Sequence, residues 1–337
     1  MKSLVLQGPG DLQWKSVPIP AADKDRALVR VRRCCVAESD LRSWASGTPS
    51  GSHPVRLGHE LCVEVISAPG SDLRPGDLCA VNPYNGCRNC TACRSGNARY
   101  CREQQVLGVH CDGGFAPFLA ISPQKLFRSR RLSADDIALT DFLVSGAHAA
   151  ECAGIRPGEP TVIFGLNQLG RATALFAANA GAHVAFVEPQ SPRFLSGCAQ
   201  LKLGQGFHPG SHLVGELRKH FGETPTLIID ATGDAASTKE AFRLAADRSR
   251  IAFLGSFPGQ EVFHYPDFNH RQLTQFVRRA DIDRTFARVI RLLESREIDT
   301  GTLITHRWSF AQTAEKLPEF ARQPGLVKAL IDFDGAG

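Results

Sequence analysis

PTVIFGLNQLGRATALFAANAGAHVAFVE, residues 160–188, decides the fold. PTVIF is an apolar run of strand length, and GLNQLG is a glycine turn. QLGRATALFAANAGA then repeats apolar residues at helical spacing, and HVAFVE is a second apolar run that ends on an acid. Two parallel strands can be joined only through a crossover, so strand, turn, helix and strand predict one unit of a parallel sheet. The alternation continues through SPRFLSGCAQLKL (191–203), TLIID (226–230) and RIAFLGSF (250–257). The expectation is an α/β, doubly wound sheet.

Within the turn, Gly165, Asn167 and Gly170 occupy the three glycine positions of GxGxxG, and Leu169, Ala172, Leu175 and Phe176 follow on the helix. The first glycine allows the tight turn and the last allows close helix packing. The helix N-terminus can then receive a pyrophosphate on its N–H groups, as in a Rossmann unit. Asn167 is the departure: it puts a side chain where the phosphates come closest, although Asn tolerates left-handed backbone better than most residues. Glu188 ends the next strand about 20 residues on, where a carboxylate accepts from a ribose 2′-hydroxyl and repels a 2′-phosphate. NAD is therefore expected over NADP. The other reading is a Rossmann-like domain with an empty pocket.

Upstream of about residue 140 the rhythm differs. ALVRVRRCCV (27–36), LCVEVISA (61–68), DLCAVNPY (77–84) and FAPFLAIS (115–122) are short β-rich runs broken by Gly, Pro, Asn and Asp, which predict a small barrel or sandwich. Downstream, RTFARVIRLLES (284–295) is an amphipathic helix and LVKALIDF (326–333) a further β run. A chain of 337 residues is long enough for two cores. The net charge of +5, scattered along the chain, makes no case for nucleic acid or membrane. MKSLVLQGPGDLQW reaches Asp11 early and reads as strand and turn rather than a signal peptide, and no stretch approaches the roughly 20 apolar residues of a membrane span. A cytoplasmic protein is expected, and there most of the 11 cysteines should stay reduced.

CRNCTACRSGNARYC (87–101) spaces Cys87, Cys90, Cys93 and Cys101 as CxxCxxCx7C among residues that permit tight turns. Thiolates at that spacing converge on one tetrahedral ion, which predicts a structural zinc with no open coordination position. Free thiols, a disulfide and an iron–sulfur cluster are the rival readings.

With LGHE (57–60), RPGD (74–77), GVHCDGGFA (108–116), DATG (230–233) and THRWSF (305–310) added, the chain resembles the zinc-dependent medium-chain dehydrogenase/reductase (alcohol dehydrogenase) family over nearly its whole length. It resembles in particular the polyol and sugar-acid branch of sorbitol, galactitol-phosphate and L-galactonate dehydrogenases. The resemblance implies a GroES-like β-rich catalytic domain at 1–143 and 296–337, with the four-cysteine zinc lobe at 85–102, and a Rossmann domain at 144–295. It also implies a homodimer or homotetramer joined through the nucleotide sheet's edge, where RIAFLGSF and LTQFV (273–277) supply apolar strands.

The resemblance further implies a catalytic zinc held by the cysteine of CG[ST]D, the histidine of GHE and a later acid or cysteine. Here CG[ST]D reads Ala37, Glu38, Ser39, Asp40, so the sulfur is missing. His59, Glu60 and Asp141 remain as ligands, Asp40 matches the acid that orients His59, and Ser39 matches the hydroxyl that takes the substrate proton. Cys35 lies about 6–7 Å back along an extended strand, too far to replace the thiolate. The adjacent Glu38 is the better substitute ligand. Arg42 stands where relatives often have a relay histidine, and Val277 where they have a glycine near the cofactor. The nicotinamide is expected near Asp230 and Gly255, and Arg279 is a candidate for an acid group of cofactor or substrate. His110, His148 and His306 are read as structural.

The leading expectation is an NAD-dependent oxidoreductase that interconverts a secondary alcohol and a ketone on a polyol or sugar acid. Two other readings fit the same residues: a degenerate relative acting as a binding or regulatory subunit, and a zinc-free NAD(P)H reductase.

Overall fold

The computed structural model describes residues 1–48, 51, 53–95, 100–188, 202–255, 274–277, 282–323 and 327–336. Arg279 lies outside these residues. The chain divides into two compact units, Met1–Val144 with Asp281–Gly337, and Ser145–Ala280.

The first unit is built on a sheet that runs, edge to edge, Ile304–Ser309, Lys328–Asp332, Ala27–Cys35, Glu60–Ser67, Leu78–Val81 and Leu126–Ser129, with Phe118–Ile121 also pairing Ala27–Cys35. Along Ala27–Val31 the inward residues Ala27, Val29 and Val31 are buried, while the alternate Leu28 and Arg30 are only half-buried. That period of two turns one face to a core of Leu4, Leu6, Val63, Val65, Phe115 and Phe320. The antiparallel register sets Cys35 opposite Glu60 on one side and Leu330 on the other. The helix Ile282–Glu294 lies in this unit and buries Phe286, Val289 and Leu293.

In the second unit six strands lie parallel in the order Gln205–Phe207, His183–Val187, Pro160–Phe164, Leu227–Asp230, Arg250–Phe253 and Thr274–Val277. The order reverses after Pro160–Phe164, which is the switch point where such sheets bind ligands. Every residue of Pro160–Phe164 is buried, as a strand covered on both faces requires. The mixed α/β fold and doubly wound sheet expected from residues 160–188 are both present. Thr274–Val277 is an edge strand of that sheet. Among the described residues, no helix is long and apolar enough to cross a membrane.

Candidate active site and metal centres

Ala37 is not on an extended strand. It is the residue before the helix Glu38–Ser46, with φ −82° and ψ 155°. Asp40, in the helix's first turn, accepts the Ala37 N–H at 2.9 Å through Oδ2 and the Gly58 N–H at 3.1 Å through Oδ1. A carboxylate there suits the positive end of the helix dipole. The same side chain thereby joins the helix start to the LGHE turn. Gly58 is left-handed at φ +88°, and a Cβ on it would fall 2.6 Å from the Phe115 ring, so the turn that delivers His59 requires glycine.

His59, Glu60 and Asp141 are all buried, and their ligand atoms lie within 4.8 Å of one another. Asp141 comes from the first turn of the helix Thr140–Cys152. The His59 ring has Nδ1 3.7 Å from Asp40 Oδ1, an electrostatic approach rather than a hydrogen bond, and Nε2 3.4 Å from Ser39 Oγ. Two atoms each about 2.1 Å from one ion stand at most about 4.2 Å apart, so a small contraction of this group would seat a divalent cation. One imidazole and two carboxylates suit zinc as a donor set, and the buried His59 Nδ1, which makes no hydrogen bond, has the Asp40 carboxylate behind it to orient the ring. The residues present fit the metal.

Glu38 does not join them. It is solvent-exposed at the start of its helix, because Ala37 turns the chain there and an acid is favoured in a first turn. Cys35 is buried but outside the donor group, and burial first, then the charge of Glu60, pushes its thiol well above the usual range. Arg42 is exposed.

Lys328 was not anticipated. It is 0% exposed, its ammonium lies 2.7 Å from both Glu60 carboxylate oxygens, and it sits 4.5 Å from the centre of the Phe142 ring. Burial pushes the Glu60 carboxyl up to about 7 against the opposing charge of Lys328. A lysine inside the apolar run VKALID was the available signal, since a charge in a buried strand needs a partner.

The sulfurs of Cys87, Cys90, Cys93 and Cys101 also gather within 4.8 Å. Cys87 Sγ accepts the Cys90 N–H at 3.4 Å, Cys90 Sγ the Cys93 N–H at 3.5 Å, and Cys101 Sγ the Cys87 N–H at 3.3 Å. N–H groups of Asn89 and Cys90 bring the Cys87 thiol down to about 7, towards the thiolate that a zinc site uses. Four sulfurs in this cage fit a closed tetrahedral ion.

In the second unit Gly165 is left-handed at φ +91°, and a Cβ on Gly170 would meet Gly165 O at 2.0 Å. Asn167, whose side chain was expected where the phosphates come closest, makes a helix cap instead. At φ −66° it caps the helix Gln168–Asn179, accepting the Gly170 N–H at 2.9 Å and donating to Ala231 O at 2.6 Å. Its side chain is thus turned down onto the turn, while Leu169 is half-buried at the second helical position. Glu188 Oε2 accepts the Leu166 N–H at 2.7 Å. Asp230 is 0% exposed and its carboxylate is committed to Thr232 and Thr238, so it holds the DATG turn rather than facing a ligand. A Cβ on Gly255 would lie 2.2 Å from Gly233 N, so Gly255 lets its strand end approach that turn. Val277 ends the edge strand.

Residues 23–131 match the model of the alcohol dehydrogenase GroES-like domain. Over 337 residues the chain is 30% identical to L-galactonate-5-dehydrogenase of Escherichia coli (strain K12), covering 99% of both proteins. It is 26% identical to sorbitol dehydrogenase of Bacillus subtilis (strain 168), over 94% of this chain and 92% of that one. A crystal structure of an alcohol dehydrogenase from E. coli CFT073, complexed with NADH, superposes with a TM-score of 0.90 at 22% identity over 99% of each chain, a likeness of fold. With the fold, both clusters of donors and a full-length relative in agreement, the chain belongs to the zinc-type medium-chain alcohol dehydrogenase family, in its polyol dehydrogenase branch, and is an oxidoreductase.

Proposed function

We propose that this oxidoreductase uses NAD to interconvert a secondary hydroxyl and a ketone on a polyol or sugar acid, at a metal site that works without sulfur. The observation that carries the reading is the convergence of His59, Glu60 and Asp141, with Ser39 Oγ 3.4 Å from His59 Nε2, although Ala37 supplies no ligand. The relatives' names, L-galactonate-5-dehydrogenase and sorbitol dehydrogenase, support this substrate class.

With both groups bound, the ion would supply Lewis acidity at the substrate oxygen and the nicotinamide a hydride acceptor. His59, Asp141 and Glu60 would hold the ion. Asp40 orients the His59 ring, and Ser39, half-buried beside it, takes the hydroxyl proton and passes it towards solvent. In the second unit Gly165, Asn167, Leu169 and Gly170 shape the turn that would receive the diphosphate, Glu188 would accept from the ribose 2′-hydroxyl, and Asp230 and Gly255 fix the strand ends that would face the nicotinamide. The four cysteines would hold a structural zinc.

The test is a panel of polyols and sugar acids read by NADH absorbance, with His59→Ala as control. Turnover by the wild type and its loss in a folded His59→Ala protein are expected. Undiminished turnover in His59→Ala, or no turnover on any member while NAD still binds, would overturn the proposal.

A further inference from the structure

Arg171 is a cation where the local physics disfavours one. It stands in the first turn of the helix Gln168–Asn179, facing the positive end of the dipole, and is only 3% exposed. A guanidinium is buried at such a place only in return for specific partners. Its Nε donates to Leu166 O at 2.7 Å, and the N–H of that same Leu166 donates to Glu188 Oε2, also at 2.7 Å. Leu166 is the residue between Gly165 and Asn167 and is fully buried. Two buried charges of opposite sign therefore grip one residue of the glycine turn, the cation by its carbonyl and the anion by its N–H.

We propose that Arg171 is a positioning residue for the adenosine end of the dinucleotide and, through Leu166 and Glu188, sets the preference for NAD over NADP. This rests on the reading of the second unit as a nicotinamide-dinucleotide site. A carboxylate accepts several hydrogen bonds, so Glu188 can hold the Leu166 N–H through Oε2 and still present an oxygen to a 2′-hydroxyl. Its aim depends on the backbone conformation of Leu166, whose N–H it holds in one peptide group and whose carbonyl Arg171 holds in the next. Without Arg171 that residue can turn, and Glu188 then binds a hydroxyl less well and repels a 2′-phosphate less.

The experiment is calorimetric titration of the full-length protein with NAD+ and with NADP+, for wild type, Arg171→Met, Arg171→Lys and Glu188→Gln, each checked for folding by circular dichroism. Arg171→Met is expected to weaken NAD+ by about tenfold or more, NADP+ by less, so that the ratio of the two affinities narrows as it does in Glu188→Gln. Arg171→Lys, which keeps the charge but loses the planar fork, should recover part of both. An unchanged affinity ratio in folded Arg171→Met overturns the proposal, whether or not its melting temperature falls, because a merely structural role would not move the ratio. Should Arg171→Met fail to fold, Arg171→Lys decides: a ratio equal to wild type overturns the proposal and a narrowed one supports it. If the wild type binds neither nucleotide, the dinucleotide reading itself fails, and the proposal with it.

Discussion

Replacing Lys328 by methionine keeps the volume of the side chain and removes its charge, which leaves the buried Glu60 without its cation. Both Glu60 oxygens are 2.7 Å from the ammonium and the lysine is 0% exposed, so the pair is of the kind whose disruption costs about 3–5 kcal/mol. The cation–π contact with Phe142 adds to that loss. A partial escape exists, because a Glu60 carboxyl already at about 7 can take up a proton, which points to the lower end of the range. About 3 kcal/mol corresponds to a fall in Tm of roughly 6–12 °C in a domain of this size. The assay is thermal unfolding at pH 7.5 with chelator present, so that bound metal does not mask the effect. Glu60→Gln is measured alongside, and the double variant should recover most of the loss, since neutral partners leave no buried charge. A fall below about 2 °C for Lys328→Met, or losses that simply add in the double variant, would refute the reasoning.

Three further outcomes follow from the same geometry. Gly170→Ala would drive a Cβ to 2.0 Å from Gly165 O, so NAD affinity measured by calorimetry should fall about tenfold or more. Ala37→Cys restores a thiolate to the metal site and should lengthen zinc retention against a chelator by about tenfold or more, read by a colorimetric zinc indicator. Burial alone would raise the Glu159 carboxyl, but hydrogen bonds from Arg250 and Thr226 and the Arg250 charge outweigh it and leave Glu159 below its usual 4.5. A depressed folded value stabilises above the unfolded value and is lost as pH falls through it. The gap in Tm between wild type and Glu159→Gln should therefore narrow on acidification below about pH 4.5.

Much of the fold was legible because strand and helix periods differ. The first strand, helix and strand of the parallel sheet followed from residues 160–188, where apolar runs, a glycine turn and a helical repeat all agree, and the alternation after them extended the sheet. The donor positions were legible as well, since cysteine spacing and the GHE turn constrain few conformations. What escaped was set by side-chain contacts, some of them distant in sequence. Glu38 looked a better ligand than it is because the helix that begins after Ala37 is fixed by Asp40 reaching Gly58, 18 residues away. Asn167 was read as a side chain in the way of the phosphates, yet the free N–H groups of a helix end gave that side chain a cap to make. Lys328 and Arg171 are the more instructive omissions: each is a charge in an apolar segment, Lys328 buried against Glu60 from a distant strand and Arg171 folded back onto the Leu166 carbonyl of its own turn.

The central claim is that the open metal site persists without its thiolate. Counting zinc in the purified protein by elemental analysis, before and after mild chelation, tests it most directly. The account predicts about two ions per chain falling to about one, as His59, Glu60 and Asp141 release theirs and the four-cysteine cage keeps its own. About one ion from the start, unchanged by chelator and with no other metal present, would contradict it.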